Sequence, residues 1–250
     1  MRLRTGLLYG LFLVSVSYCA QAEESNALTT HSAKAVFADY LEYLTLPNVA
    51  TQSATDIEKV ARWTATKYSE YGFNTQLLEN NGMPMLYADY MLAGKNAPTL
   101  LFYAHMDGQP VNAELWEQDS PWQPVLKIEE NDSWVEKPLS LLDKDYDPNW
   151  RIFARSASDD KAPIMMLLAA INSLSTNKVT PSVNIKVLLD SNEEGGSPTL
   201  AKVIEKNKAQ LSADAAVMLD GPMHPSNAST VVFGHRGATL VKLTVFGPNS

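Results

Sequence analysis

The chain has 250 residues, 45% of them hydrophobic and 19% charged, a globular composition long enough for a large core and the start of a second unit. The formal net charge is −8, from 20 basic and 28 acidic residues. No basic run occurs anywhere, so nucleic-acid binding has no support, and the acidity speaks for solubility alone.

Met1 to Ala22 reads as a secretory signal peptide. Arg2 and Arg4 precede the apolar run Leu7 to Val16, and Ala20-Gln21-Ala22 supplies small residues for cleavage after Ala22. The run is too short to span a bilayer comfortably, so no stable membrane association is expected after cleavage. The 1 cysteine, Cys19, leaves with this segment. The mature chain then forms no internal disulfide, and any metal must be held by His and carboxylates. A leader without disulfides points to a secreted protein of the bacterial periplasm. Losing two arginines and no acid moves the net charge from −8 to −10.

Ser25 to Thr30 is polar and reads as a loose mature N-terminus. Ala33 to Leu44 carries Val36, Phe37, Tyr40, Leu41 and Leu44 at helical spacing, and Pro47 closes it. Thr55-Asp56-Ile57-Glu58 has the form of a capping box, and the helix it opens runs to Gly72. Phe73 to Leu78 and Met85 to Met91 alternate like strands about an Asn81-Gly82 turn. Leu100 to Ala104 is uniformly apolar, as in a strand covered on both faces, and runs straight into His105-Met106-Asp107. Gln109 to Trp150 reads as long loops, with one hairpin from Val125 to Ile128 and Trp134 to Lys137; its tryptophans read as packing of the loops onto the domain.

Ile152 to Ala154 is a short strand. Ile164 to Leu174 is apolar on nearly all sides, which predicts a deeply buried helix, with Asp159 and Asp160 at its dipole-favoured start and Pro163 in its first turn. Asn184 to Glu194 is a strand that ends in paired glutamates. Ser197 and Pro198 then read as the cap and first residue of a helix reaching about Gln210. Ala215 to Asp220 is a strand that ends in an aspartate. Strand and helix alternate through this half, so the fold class is α/β, with a mainly parallel sheet flanked by helices. Thr230 to Phe233 and Thr239 to Phe246 read as strands on either side of a Gly-His-Arg-Gly corner, the beginning of a second unit. The expected organisation is residues 1–22 as leader, 23–229 as catalytic domain and 230–250 as the start of another domain.

The chemistry-bearing residues lie at the C-terminal ends of these strands or at the helix start beside them, the edge where open α/β sheets place their sites. His105 offers a ring nitrogen. Asp107, two residues on in a strand, points the same way and can hold the other nitrogen, as carboxylates do behind metal-bound histidines. Asp159 or Asp160, Glu193 or Glu194, and Asp220 supply oxygens. One nitrogen among several carboxylates suits zinc, manganese or cobalt rather than a sulfur-rich structural site. A carboxylate between two ions can bridge them, and one glutamate of the Glu193-Glu194 pair can bind metal while its neighbour takes a proton from water.

The segments AHMD, RSASDDKAP, NEEGGS and MLDG, in this order and spacing over Leu100 to Gly221, resemble the zinc-dependent exopeptidase and deacylase family that includes carnosinase, glutamate carboxypeptidases, acetylornithine deacetylase and aminoacylase. The resemblance implies a three-layer αβα catalytic domain with an inserted α+β lid that can form a homodimer. It implies two zinc ions per chain, with His105 and Asp220 on one, Glu194 on the other and Asp159 bridging through a cis bond to Asp160. Glu193 becomes the general base and Asp107 the orienting carboxylate. Ser156 and Ala162 stand where the family commonly has glycine. The implied activity is hydrolysis of a peptide or amide bond next to a free carboxylate, as in a dipeptidase or carboxypeptidase. An N-acyl amino acid deacylase is the alternative within the family. An inactive fragment is the alternative outside it, because the family's last His ligand and its lid lie beyond the point where this sequence stops.

Overall fold

The computed structural model describes residues 34–144, 146–221, 224, 226, 228–234 and 241–247. The expected leader with its cleavage point, the loose segment Ser25 to Thr30, and His235 and Arg236 of the Gly-His-Arg-Gly corner lie outside these residues. Two compact units divide the chain, one ending at Asp220 and one beginning at Gly221.

The first unit opens with helix α1 (34–44) and helix α2 (Ala54–Glu70). Ser53 is the cap of α2, its hydroxyl accepting the Asp56 amide, so the expected capping box at Thr55 is corrected by two residues. Glu58 does not reach back to a cap and instead meets Arg62 one turn on. The hairpin β1 (Asn74–Leu78) and β2 (Met85–Tyr90) follows, turning through Asn81 and Gly82, both at positive φ. Strand β3 (Thr99–His105) comes next. β4 (Val125–Glu130), β5 (Ser133–Lys137) and β6 (Arg151–Phe153) form a separate three-stranded antiparallel sheet in the loop-rich region. Helix α3 (Lys161–Thr176), strand β7 (Asn184–Asp190), helices α4 (Leu200–Lys206) and α5 (Lys208–Leu211) and strand β8 (Ala215–Met218) complete the unit.

The main sheet has the order β1-β2-β7-β3-β8. It is mixed: β7, β3 and β8 run parallel, while the β1-β2 hairpin joins β7 antiparallel. The parallel strands are the ones that deliver the candidate site residues.

Alternation along the strands gives the sheet two apolar faces. Leu86 and Ala88 of β2, Val187 and Leu189 of β7 and Ala104 of β3 pack with residues of α1, α2 and α3. Met85 and Tyr87 of β2 and Leu188 of β7 pack on the other face with Val203 of α4 and Leu211 of α5. The result is the three-layer αβα arrangement. Each fully buried aliphatic side chain contributes roughly 1.5–3 kcal/mol, so these two clusters hold the layers together.

Several expectations need adjustment. Helix α3 buries Ile164, Met165, Leu168 and Ile171 but leaves Met166 67% exposed, because it covers one face of a sheet rather than sitting inside a core. Ser197 is not a helix cap: α4 begins at Leu200 behind Thr199, and the Ser197 hydroxyl is used elsewhere. β3 is half-buried over most of its length, and β8, its neighbour, is exposed. In the unit from Gly221, residues 228–234 and 241–247 carry no strand pairing, so the expected strands Thr230 to Phe233 and Thr239 to Phe246 do not form there (239 and 240 lie outside the described residues). A strand needs a partner for its backbone groups, and none among the described residues offers one. Val231, Phe233, Val241 and Leu243 are accordingly exposed. Among the described residues, no helix is long and apolar enough to cross a membrane.

Candidate metal centre

His105 is the last residue of β3, and its side chain is buried. Its Nε2 lies 2.9 Å from Asp159 Oδ1 and 3.9 Å from Asp220 Oδ2. Its Nδ1 sits between two oxygens of Asp107, 3.1 Å from the backbone carbonyl and 3.4 Å from the carboxylate. Burial alone would lower the imidazole pKa, but the bond to Asp107 and the charges of Asp160, Asp107 and Asp220 overcome it and raise the pKa to about 10.

Asp107 does more than face His105. It is fully buried, and its two oxygens accept the backbone N–H groups of Glu193 at 2.9 Å and Glu194 at 3.1 Å. The carboxylate thus grips the corner that follows β7, a role its position in the sequence does not reveal.

Of the two adjacent aspartates, Asp159 is the one that turns toward the histidine ring. Asp160 points inward: its Oδ2 accepts the His105 backbone N–H at 3.0 Å, and burial raises its carboxyl to about 7. The peptide bond between the two is cis, as the resemblance implies. The loop before them has Ser156 at φ 60°, the left-handed region where glycine carries no steric penalty, which explains why glycine suits this position. The Ser156 hydroxyl meets Asn48, whose Nδ2 also donates to the Met106 carbonyl at 2.9 Å. The Asn48 carbonyl accepts the Gly108 N–H at 2.8 Å. A Cβ on Gly108 would lie 2.1 Å from Ser156 Oγ, so this approach of two loops requires glycine. Lys161, fully buried at the start of α3, donates to the carbonyls of Tyr43 and Leu46 at the end of α1, and burial lowers its pKa to about 7.

Glu193 and Glu194 occupy the corner after β7, and Asp220 follows β8. Burial comes first in raising the pKa of both glutamates, with neighbouring acids adding to it and His105 opposing. The Gln109 amide donates to Glu194. Two groups have ligand atoms all within 4.8 Å of one another: His105 with Asp159 and Glu194, and His105 with Glu193 and Asp220. The structure therefore gathers His105, Asp159, Glu193, Glu194 and Asp220 from four separate segments, with Asp107 behind them.

The donor chemistry fits a hard or borderline divalent cation. One imidazole stands among several carboxylates, and no thiolate is among the donors. Asn48, Gln109, Lys161 and Asp190 are the site neighbours that the sequence did not disclose. An acid at a strand end was a signal available for Asp190, but the adjacent glutamate pair masked it.

One histidine and several carboxylates at the C-terminal edge of the parallel strands of an αβα sheet form a site suited to holding a divalent metal. The family description "Peptidase family M20/M25/M40" matches residues 101–234, and the chain belongs to this family. The chain is 26% identical over 232 residues to a cysteinylglycine-S-conjugate dipeptidase of Corynebacterium striatum, covering 90% of this chain and 45% of that protein. It is 26% identical over 142 residues to a Beta-Ala-His dipeptidase of Mus musculus, covering 56% of this chain and 25% of that one. The crystal structure of an M20 family metallo-carboxypeptidase from Sulfolobus solfataricus superposes with a TM-score of 0.61 at 30% identity, covering 77% of this chain and 38% of that chain. The chain thus spans less than half the length of these three proteins.

Proposed function

We propose that the protein is a di-zinc hydrolase that cleaves a peptide bond next to a free carboxylate in small peptides, in the manner of a dipeptidase or carboxypeptidase. The observation that carries this reading is the convergence of His105 with acids from three other segments of the chain. His105, Asp159, Glu194 and Asp220 would hold the metal, with Asp159 the bridging carboxylate that the family resemblance implies. When bound, zinc acidifies water and polarises the scissile carbonyl.

The chain's own residues do the rest. Glu193 accepts a proton from the attacking water and returns it to the nitrogen of the leaving amine. Its raised pKa suits both halves of that transfer. Asp107 fixes the backbone of Glu193 and Glu194 and faces Nδ1 of His105, so one buried carboxylate sets the direction of base and ligands together. Residues 230–250 begin, in this reading, the lid that binds the substrate carboxylate and pairs two copies. Secretion to a periplasm, with cleavage after Ala22, completes it.

The test uses the full-length protein. Elemental analysis should find about two zinc ions per chain, and a metal-free sample that still turns over would overturn the mechanism. Glu193→Gln should retain the metal while turnover falls by roughly 10²–10⁴-fold; unchanged turnover would remove Glu193 as the base. Parallel panels of dipeptides and N-acetyl amino acids decide between peptidase and deacylase.

A further inference from the structure

Asp190 is the last residue of β7 and stands directly beside His105 in the β3–β7 register. It is fully buried, yet the reaction proposed above gives it no part. Its Oδ1 accepts the backbone N–H groups of Ser191 at 2.6 Å and Asn192 at 3.1 Å. Its Oδ2 accepts the Ser197 hydroxyl at 2.7 Å and the Tyr103 hydroxyl at 3.1 Å. Its backbone carbonyl accepts the Met106 N–H at 2.8 Å. The segment between Ser191 and Ser197 is itself closed by Ser197 N–H to Asn192 carbonyl at 2.9 Å and Gly196 N–H to Glu193 carbonyl at 2.7 Å.

One side chain thus ties down both ends of the segment that carries Glu193 and Glu194, and fastens it to Tyr103 of β3. Asp107 holds the same corner from the other side through the two glutamate amides. The four groups that bond the Asp190 side chain are neutral donors. A buried carboxylate with such partners costs stability that a neutral residue of similar size avoids. What the carboxylate alone supplies is acceptor capacity on both oxygens at once, which asparagine, with a donor at one of the two positions, cannot match.

We propose that Asp190 is a positioning residue for Glu193: through Ser191, Asn192, Ser197 and Tyr103 it fixes the corner from which the Glu193 carboxylate works. The inference rests on Glu193 being the base. In the metal-loaded full-length protein, Asp190→Asn keeps an acceptor for the Ser191 and Asn192 amides but turns a donor toward Tyr103 and Ser197. The expected result is a kcat lower by about 10–100-fold, with KM and zinc content near those of the parent. Tyr103→Phe and Ser197→Ala each remove one donor and carry the test if Asp190→Asn does not fold; each should lower kcat several-fold.

Tyr103→Phe and Ser197→Ala made in a Glu193→Gln background should lower the residual kcat by clearly less than in the parent, because the base they position is gone. Equal losses in both backgrounds, or an unchanged kcat in Asp190→Asn, would overturn the inference while leaving Glu193 as the base. A Glu193→Gln protein as active as the parent would remove the base assignment, and this inference with it.

Discussion

Gly108 is the point where the strand that carries His105 meets the loop that carries Asp159. The atom a side chain would strike, Ser156 Oγ, is pinned by Asn48 on a backbone at φ 60° and has little room to give. Gly108→Ala should therefore lower the unfolding free energy by about 1–3 kcal/mol in urea titration, as overpacking does. It should also weaken zinc binding by moving the two segments apart. Ser156→Gly removes the struck atom and the unfavourable φ, so Gly108→Ala made in that background should cost measurably less. Equal costs in the two backgrounds would show that the contact does not govern the site.

The elements around the site are fixed by contacts between distant parts of the chain. Helix α2 is capped by Ser53, so Ser53→Ala should cost about 1 kcal/mol of stability, whereas Thr55→Ala should change it by less than about 0.5 kcal/mol. Chemical denaturation of the two variants compares them directly. Lys161 clasps the end of α1 to the start of α3 with its ammonium between two carbonyls. Lys161→Met keeps the bulk but leaves those carbonyls without their donor, and should destabilise by roughly 1–3 kcal/mol. A stability equal to the parent's would mean that the clasp contributes nothing.

These elements also show what was legible before the structure. The helix and strand runs were readable because apolar periodicity is a local property, and each strand that ends in an acid or a histidine announced itself. The cap slipped by two residues because Ser53 and Thr55 offer the same hydroxyl chemistry, and only backbone dihedrals choose between them. The separate β4–β5–β6 sheet was half visible: its hairpin lies in adjacent sequence, but the pairing of β6 with β4 spans a loop.

At the scale of the whole molecule, the cluster gathers acids whose mutual repulsion a cation relieves. Zinc should therefore stabilise the 250-residue chain in a concentration-dependent way, raising its unfolding midpoint and adding about 2.7 kcal/mol to its unfolding free energy when free metal reaches 100 times its dissociation constant. A chelator should reverse the gain, and His105→Ala, which removes the residue shared by both ligand groups, should abolish it. A midpoint indifferent to zinc would count against a metal site in this chain.

Sequence by itself determined the α/β class, the ends of the parallel strands and the candidate ligands that sit there, because alternation and apolar runs encode which strand ends reach a common edge. The tertiary structure decided which of two adjacent aspartates faces the histidine. It also decided that Asp107 and Asp190 hold the glutamate corner, and that Asn48 joins two loops through the space Gly108 leaves. These are choices of direction and distance between residues as far as 108 positions apart. Hydrogen bonds of that kind are set by how the layers pack, and no local pattern in the chain carries them.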